Sequence, residues 1–122
     1  MCGVVTPPKQ IEVVFEGDSL TFGLGDANAH RYPLFQAVQA DRSAGTFDVD
    51  LQYVGPLSNG WSPTQLNNGV GLSTVPDHTA AAPLIYGPGL LEPAIISILL
   101  GTNDADSALL TANFAANYTA LV

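Results

Sequence analysis

Apolar positions along the chain gather into short runs, separated by polar, glycine-rich stretches. Ile11–Phe15 is rich in β-branched residues, the pattern of a parallel strand covered on both faces. It passes at once into Gly17, Asp18 and Ser19, a strand-to-loop change. Gly23, Gly25, Asp26 and Asn28 mark a loop. Pro33 suits the first turn of a helix, where its missing N–H costs nothing. Leu34, Phe35, Ala37 and Val38 cluster on one side of that helix, and Ser43 and Gly45 end it. Phe47–Val54 alternates apolar and polar residues, which predicts a strand with one polar face near a sheet edge. The Gly/Asn/Pro/Ser-rich stretch from Gly55 to about Pro83 reads as a long loop. Leu90 and Leu91 fit a short helix that stops before Pro93. Ile95–Leu100 is the strongest strand signal, and Gly101, Thr102, Asn103 and Asp104 follow it. Asp104 or Asp106 can cap the next helix, whose buried stripe would be Leu110, Phe114, Tyr118 and Leu121.

The predicted order is β-α-β-loop-β-α, an α/β domain with a parallel sheet. Residues 1–10, with Pro7 and Pro8, form an irregular lead-in, and residues 11–122 form the domain. In such sheets ligands bind beyond the carboxyl ends of the strands. Asp18 and Ser19, the stretch from Gly55, and Asn103 all fall there. The last helix keeps its apolar stripe to Leu121 and shows no C-cap glycine or polar stop. Three strands would also leave an apolar sheet edge open. The expectation is the N-terminal portion of a larger fold, or a sheet completed by something else.

Composition narrows the partners. Apolar residues make up 47% of the 122 positions, enough for a core, while charged residues make up 11%. The net charge is −8, with Lys9, Arg31 and Arg42 the only lysine and arginines. So few cations argue against nucleic acid and against an anionic membrane surface. The acidity favours solubility and a neutral substrate over an anionic one. Cys2 is the single cysteine, so no intrachain disulfide forms, and no apolar signal region precedes it. The apolar run at Ala94–Leu100 is too short to cross a bilayer. Low lysine content and Gly/Asn/Thr-rich loops suit an extracellular or surface location.

The chemistry lies in two motifs that each follow a predicted buried strand. Glu16-Gly17-Asp18-Ser19-Leu20-Thr21 contains GDSLT, and Gly101-Thr102-Asn103-Asp104 reads GTND. In that order they resemble blocks I and III of the SGNH (GDSL-type) serine esterases. Arg31-Tyr32-Pro33-Leu34 and Leu51-Gln52-Tyr53-Val54-Gly55 are similar to stretches of the family's carbohydrate-directed members. The resemblance covers residues 11–122. It implies a flavodoxin-like α/β/α three-layer fold, present in its N-terminal part only.

The resemblance also implies roles. Ser19 would be the nucleophile, and a serine hydroxyl needs a neighbouring base. Ser19, a block II glycine and Asn103 would donate to the oxyanion, one such donor contributing roughly 3 kcal/mol. Block II matches Asn67-Asn68-Gly69-Val70-Gly71-Leu72-Ser73-Thr74, with its second glycine one place early, so Gly71 is preferred and Gly69 is the alternate. Asp18 would order the Ser19 loop through backbone hydrogen bonds, and Asp104 would support block III. The family's base is a D-x-x-H pair, and no D-x-x-H occurs here. Of the two histidines, His30 precedes the first helix. His78 lies in the long loop beside Asp77, a stand-in base if it swings toward Ser19. The usual Asp–His pair would come from a missing segment or a second chain.

Other chemistries lack their residues. One cysteine and two distant histidines give no zinc spacing, and no metal or cofactor is implied. No phosphate-binding glycine loop occurs, and the G-x-S-x-G elbow is missing. The implied reaction is hydrolysis of a small ester or acetylated carbohydrate, with Trp61 able to stack on a sugar ring. The competing reading is a non-catalytic carbohydrate-binding or assembly module. A homo-oligomer or a complementing C-terminal chain is the implied protein partner, the latter if the chain is one fragment of a split hydrolase.

Overall fold

The computed structural model describes residues 9–23, 30–58 and 65–122. Gly25, Asp26, Asn28, Trp61, Cys2 and the prolines of the lead-in lie outside the described residues. The sheet is built on β1 (Lys9–Gly17), longer than the apolar run that predicts it. β2 (Val49–Val54) pairs in parallel with the first part of β1, from Lys9↔Val49 to Val14↔Val54. The two-residue β3 (Asn68–Gly69) takes over at Glu16 and Gly17. β4 (Ile95–Leu99) pairs with Val13–Gly17. β4 shares β1 residues with both β2 and β3, so it occupies the opposite flank. All four strands are parallel, as the alternation of strands and helices predicts.

Side chains of β1 alternate between two helical layers. Val13 and Phe15 pack with Tyr53, Ile11, Leu51 and Phe35, the last from α2 (Arg31–Ser43). Phe15 and Tyr53 meet edge to face at 4.8 Å, and Phe35 adds a second such contact to Tyr53 at 5.9 Å. Val14 and Glu16 point to the other layer, formed by α3 (Val75–Ile85) and α5 (Phe114–Leu121). A helix on each face of a parallel sheet is the expected α/β/α arrangement.

Five expectations need correction. The stretch from Gly55 to Pro83 is not one loop, because it contains β3 and most of α3. Thr74 and Asp77 start α3: the Thr74 N–H and hydroxyl both donate to Asp77 Oδ2, at 2.8 and 2.7 Å. Pro76 in the first turn adds a preset φ. Leu90 and Leu91 form no helix. Gly87 and Gly89 adopt φ of +129° and +80°, and the turn lets Leu91 bridge to Tyr86. The final helix is two pieces, α4 (Ala108–Ala112) and α5, which part at Asn113. Its cap is neither Asp104 nor Asp106, which sit in a 3-10 turn, but Ser107, whose hydroxyl accepts from Leu110 N–H at 3.4 Å. Leu110, Phe114, Tyr118 and Leu121 are the more sheltered side of these helices, but half-buried rather than buried.

β4 is the least covered strand. Ile95, Ile96 and Leu99 keep 48%, 45% and 46% of their surface exposed, against 0% for Val14. The sequence's most apolar strand therefore lies at the open side of the sheet among the described residues.

Candidate active site

Most fully buried side chains are polar, and they gather at the carboxyl end of the sheet. Asp18, Thr21, Asn67, Asn68, Ser73, His78 and Asp104 are all buried there, together with Glu16. Burying so many polar groups is costly unless they bond one another.

Block I turns sharply after β1. The Asp18 side chain accepts from Leu20 N–H at 2.9 Å and caps the four-residue α1 (Ser19–Phe22), the ordering role its sequence position implies. Its second oxygen, Oδ2, is buried without a hydrogen-bond partner. Ser19, the first residue of α1, is half-buried, and no described side chain hydrogen-bonds its hydroxyl.

Blocks II and III are tied to this turn. Val70 N–H donates to Gly17 O at 2.9 Å. Gly69 lies against α1: a Cβ there would meet Phe22 N at 2.2 Å and Thr21 C at 2.7 Å. Gly69 is thus a packing glycine. Gly71 is exposed, with nothing within 4 Å of an added Cβ. Asn103 follows β4, and its amide donates to Ser73 O at 2.8 Å. The Asp104 carboxylate accepts from Val75 N–H at 3.2 and 3.1 Å, clasping the start of α3. The three segments that carry the motifs are therefore brought together at one end of the sheet.

The histidines sit otherwise than the sequence suggests. His78 is not in a loop: it lies in the first turns of α3, 2% exposed, with both ring nitrogens engaged. Nε2 meets Ser73 Oγ at 2.8 Å, and Nδ1 is hydrogen-bonded to Glu16. A swing toward Ser19 would break both contacts. Helix geometry separates its side chain from that of Asp77, which is spent on the cap. His30 packs its ring edge to face on Phe15 at 5.4 Å, on the α2 side.

Glu16 organises this cluster. Its carboxylate receives Asn68 Nδ2 at 2.9 Å on both oxygens, His78 Nδ1, and the Tyr86 hydroxyl. Burial pushes its pKa up. The hydrogen bonds from His78, Tyr86 and Asn68 outweigh that and hold it below the usual carboxylate range. Burial and the same carboxylate push the Tyr86 hydroxyl well above its ordinary value. Glu16, Asn68 and Ser73 lie within the motif segments but receive no role from them, and Tyr86 lies outside them. The available signal is Glu16 itself, a charged residue closing a strand that is covered on both faces. No group of three or more His, Cys, Asp or Glu among the described residues is placed to hold a metal. No described helix is long and apolar enough to cross a membrane.

No family model matches the chain, and no curated protein matches it. Among solved structures it is similar to a Clostridium thermocellum family 3 carbohydrate esterase, with a TM-score of 0.61 and 22% identity. The match covers 92% of this chain and 57% of that one, so the chain spans little more than half the esterase's length. At that identity the likeness is one of fold: the chain has an α/β fold with a parallel sheet like that of the esterase.

Proposed function

We propose that the protein is a serine-nucleophile ester hydrolase acting on a small ester or an acetylated carbohydrate. The observation that carries this reading is the convergence of Ser19, the Gly71 loop and Asn103 at the carboxyl end of the sheet. Ser19 attacks the ester carbonyl, and its own N–H, the Gly71 N–H and the Asn103 amide stabilise the oxyanion. Gly71 suits this role better than Gly69, which is sealed against α1. Among the described residues its N–H has no hydrogen-bond partner, which leaves it available to donate. The general base is an Asp–His pair supplied by a further segment or a second chain, since His78 is held by Ser73 and Glu16 and His30 packs on Phe15. The unpaired Asp18 Oδ2 supports this, because a buried carboxylate oxygen beside Ser19 is short of a donor. The named substrate of the fold neighbour supports a carbohydrate ester.

Acetate release from an acetylated oligosaccharide tests the reading. With Ser73 also replaced by Ala, Ser19→Ala should abolish release, and Asn103→Ala should lower kcat by about 10²- to 10³-fold. Release that survives Ser19→Ala in that background contradicts it. No release from the folded protein would favour the non-catalytic module instead. The half-exposed apolar residues of β4 are the observation on that side, since such surface marks association sites.

A further inference from the structure

Three buried side chains with no part in the Ser19 chemistry stand in line. Glu16 ends β1, His78 lies in α3, and Ser73 precedes it in the block II loop. Glu16 only accepts, so His78 Nδ1 carries the hydrogen between them, and Nε2 of the neutral ring presents its lone pair to Ser73 Oγ at 2.8 Å. Asn68 and Tyr86 hold the carboxylate in place from two further sides. The Ser73 hydroxyl has one proton and two acceptors, His78 Nε2 and Val70 O at 2.7 Å. It can therefore hand its proton to His78, and it turns to Val70 O when the ring is protonated. This is the nucleophile–base–orienting-acid arrangement that activates a serine.

Ser73 and His78 also line a cavity of about 130 Å³ with Asn68, Val70, Asp77 and Ala81. That space holds an acetyl-sized group. The Asp77 carboxylate at its rim disfavours an anionic ligand. The adjoining turn, closed by Ser73 N–H to Val70 O at 3.2 Å, leaves the Leu72 N–H without a partner among the described residues, as an oxyanion donor requires.

We propose that Ser73, His78 and Glu16 form a second nucleophilic centre, independent of Ser19, that accepts a short acyl group from an uncharged ester. Ser73 Oγ bonds to the carbonyl carbon as its proton passes to His78 Nε2. The carbon–oxygen bond to the alcohol breaks, and the leaving oxygen takes that proton. Water repeats the sequence on acyl-Ser73 and frees the acid. Glu16 stays ionised and stabilises the imidazolium.

The test is acetylation of the folded Ser19→Ala protein by p-nitrophenyl acetate, read by intact mass and nitrophenolate release. One acetyl adduct is expected, and adding Ser73→Ala should remove it. An adduct that survives Ser73→Ala, or none on the folded Ser19→Ala protein, overturns the proposal. A second variant guards against misfolding: Ser73→Cys in a Cys2→Ser background keeps a nucleophile of similar size. Its thiol should react with iodoacetamide about 10-fold faster than glutathione at pH 7. A rate no faster than glutathione overturns the proposal. Ser19 is absent or silent in both experiments, so their failure leaves the Ser19 reading untouched, and the converse holds.

Discussion

Glu16 is the residue on which most of the buried polar cluster depends. Its pKa is held below the ordinary carboxylate value, so its stabilising effect is complete above that range. It is lost as pH falls through the depressed folded value. Urea midpoints measured from pH 7 down to pH 3 should therefore decline for the natural protein. Glu16→Gln should cost about 3 kcal/mol at pH 7, since it leaves His78 and Tyr86 facing a neutral amide, and should show a shallower decline in acid. Parallel declines would assign the acid sensitivity to another group. The two block II glycines make a second contrast at this scale. Gly69→Ala drives a methyl into the backbone of Phe22 and Thr21 and should cost about 3 kcal/mol. Gly71→Ala meets open space, keeps its N–H, and should leave the urea midpoint unchanged.

At the scale of elements, α3 links fold and site, because it carries His78 and is clasped by Asp104. Asp77→Ala removes both bonds from Thr74 and should cost about 1 kcal/mol, a drop in Tm of roughly 4 °C by calorimetry. The pattern of the chain reveals β1, α2, β2 and β4 because each carries a periodic or continuous apolar run. It conceals α3 because Pro76, Asp77, His78 and Pro83 read as loop residues, and the helix is started by its cap and by tertiary contacts. The break at Asn113 is likewise invisible to periodicity, since the apolar stripe runs through it. Ser19, Gly71 and Asn103 are residues of the proposed site that the sequence can name because a local motif marks each. The Glu16–His78–Ser73 line is not legible, because Glu16 and His78 are 62 positions apart and only β1–β3 pairing and α3 packing bring them together.

For the molecule as a whole, the core lies around β1 while β4 forms an open flank. Val14 is fully buried between strands and helices, so Val14→Ala should cost about 2 kcal/mol in urea unfolding. Leu99→Lys, at a position 46% exposed, should cost less than about 1 kcal/mol if that flank faces solvent. A larger loss would mean that something covers β4 in solution. The same carboxyl end of the sheet holds two serines in different chemical states. Ser73 is hydrogen-bonded to His78, whereas no described side chain hydrogen-bonds the Ser19 hydroxyl. Labelling with a fluorophosphonate, read by intact mass on the folded protein in a Ser73→Ala background, separates them and tests the Ser19 nucleophile most directly. With the segment or chain that supplies the base present, one adduct that Ser19→Ala abolishes is expected. A folded protein that takes up no label under those conditions, or a label that persists after Ser19→Ala, would contradict the Ser19 reading.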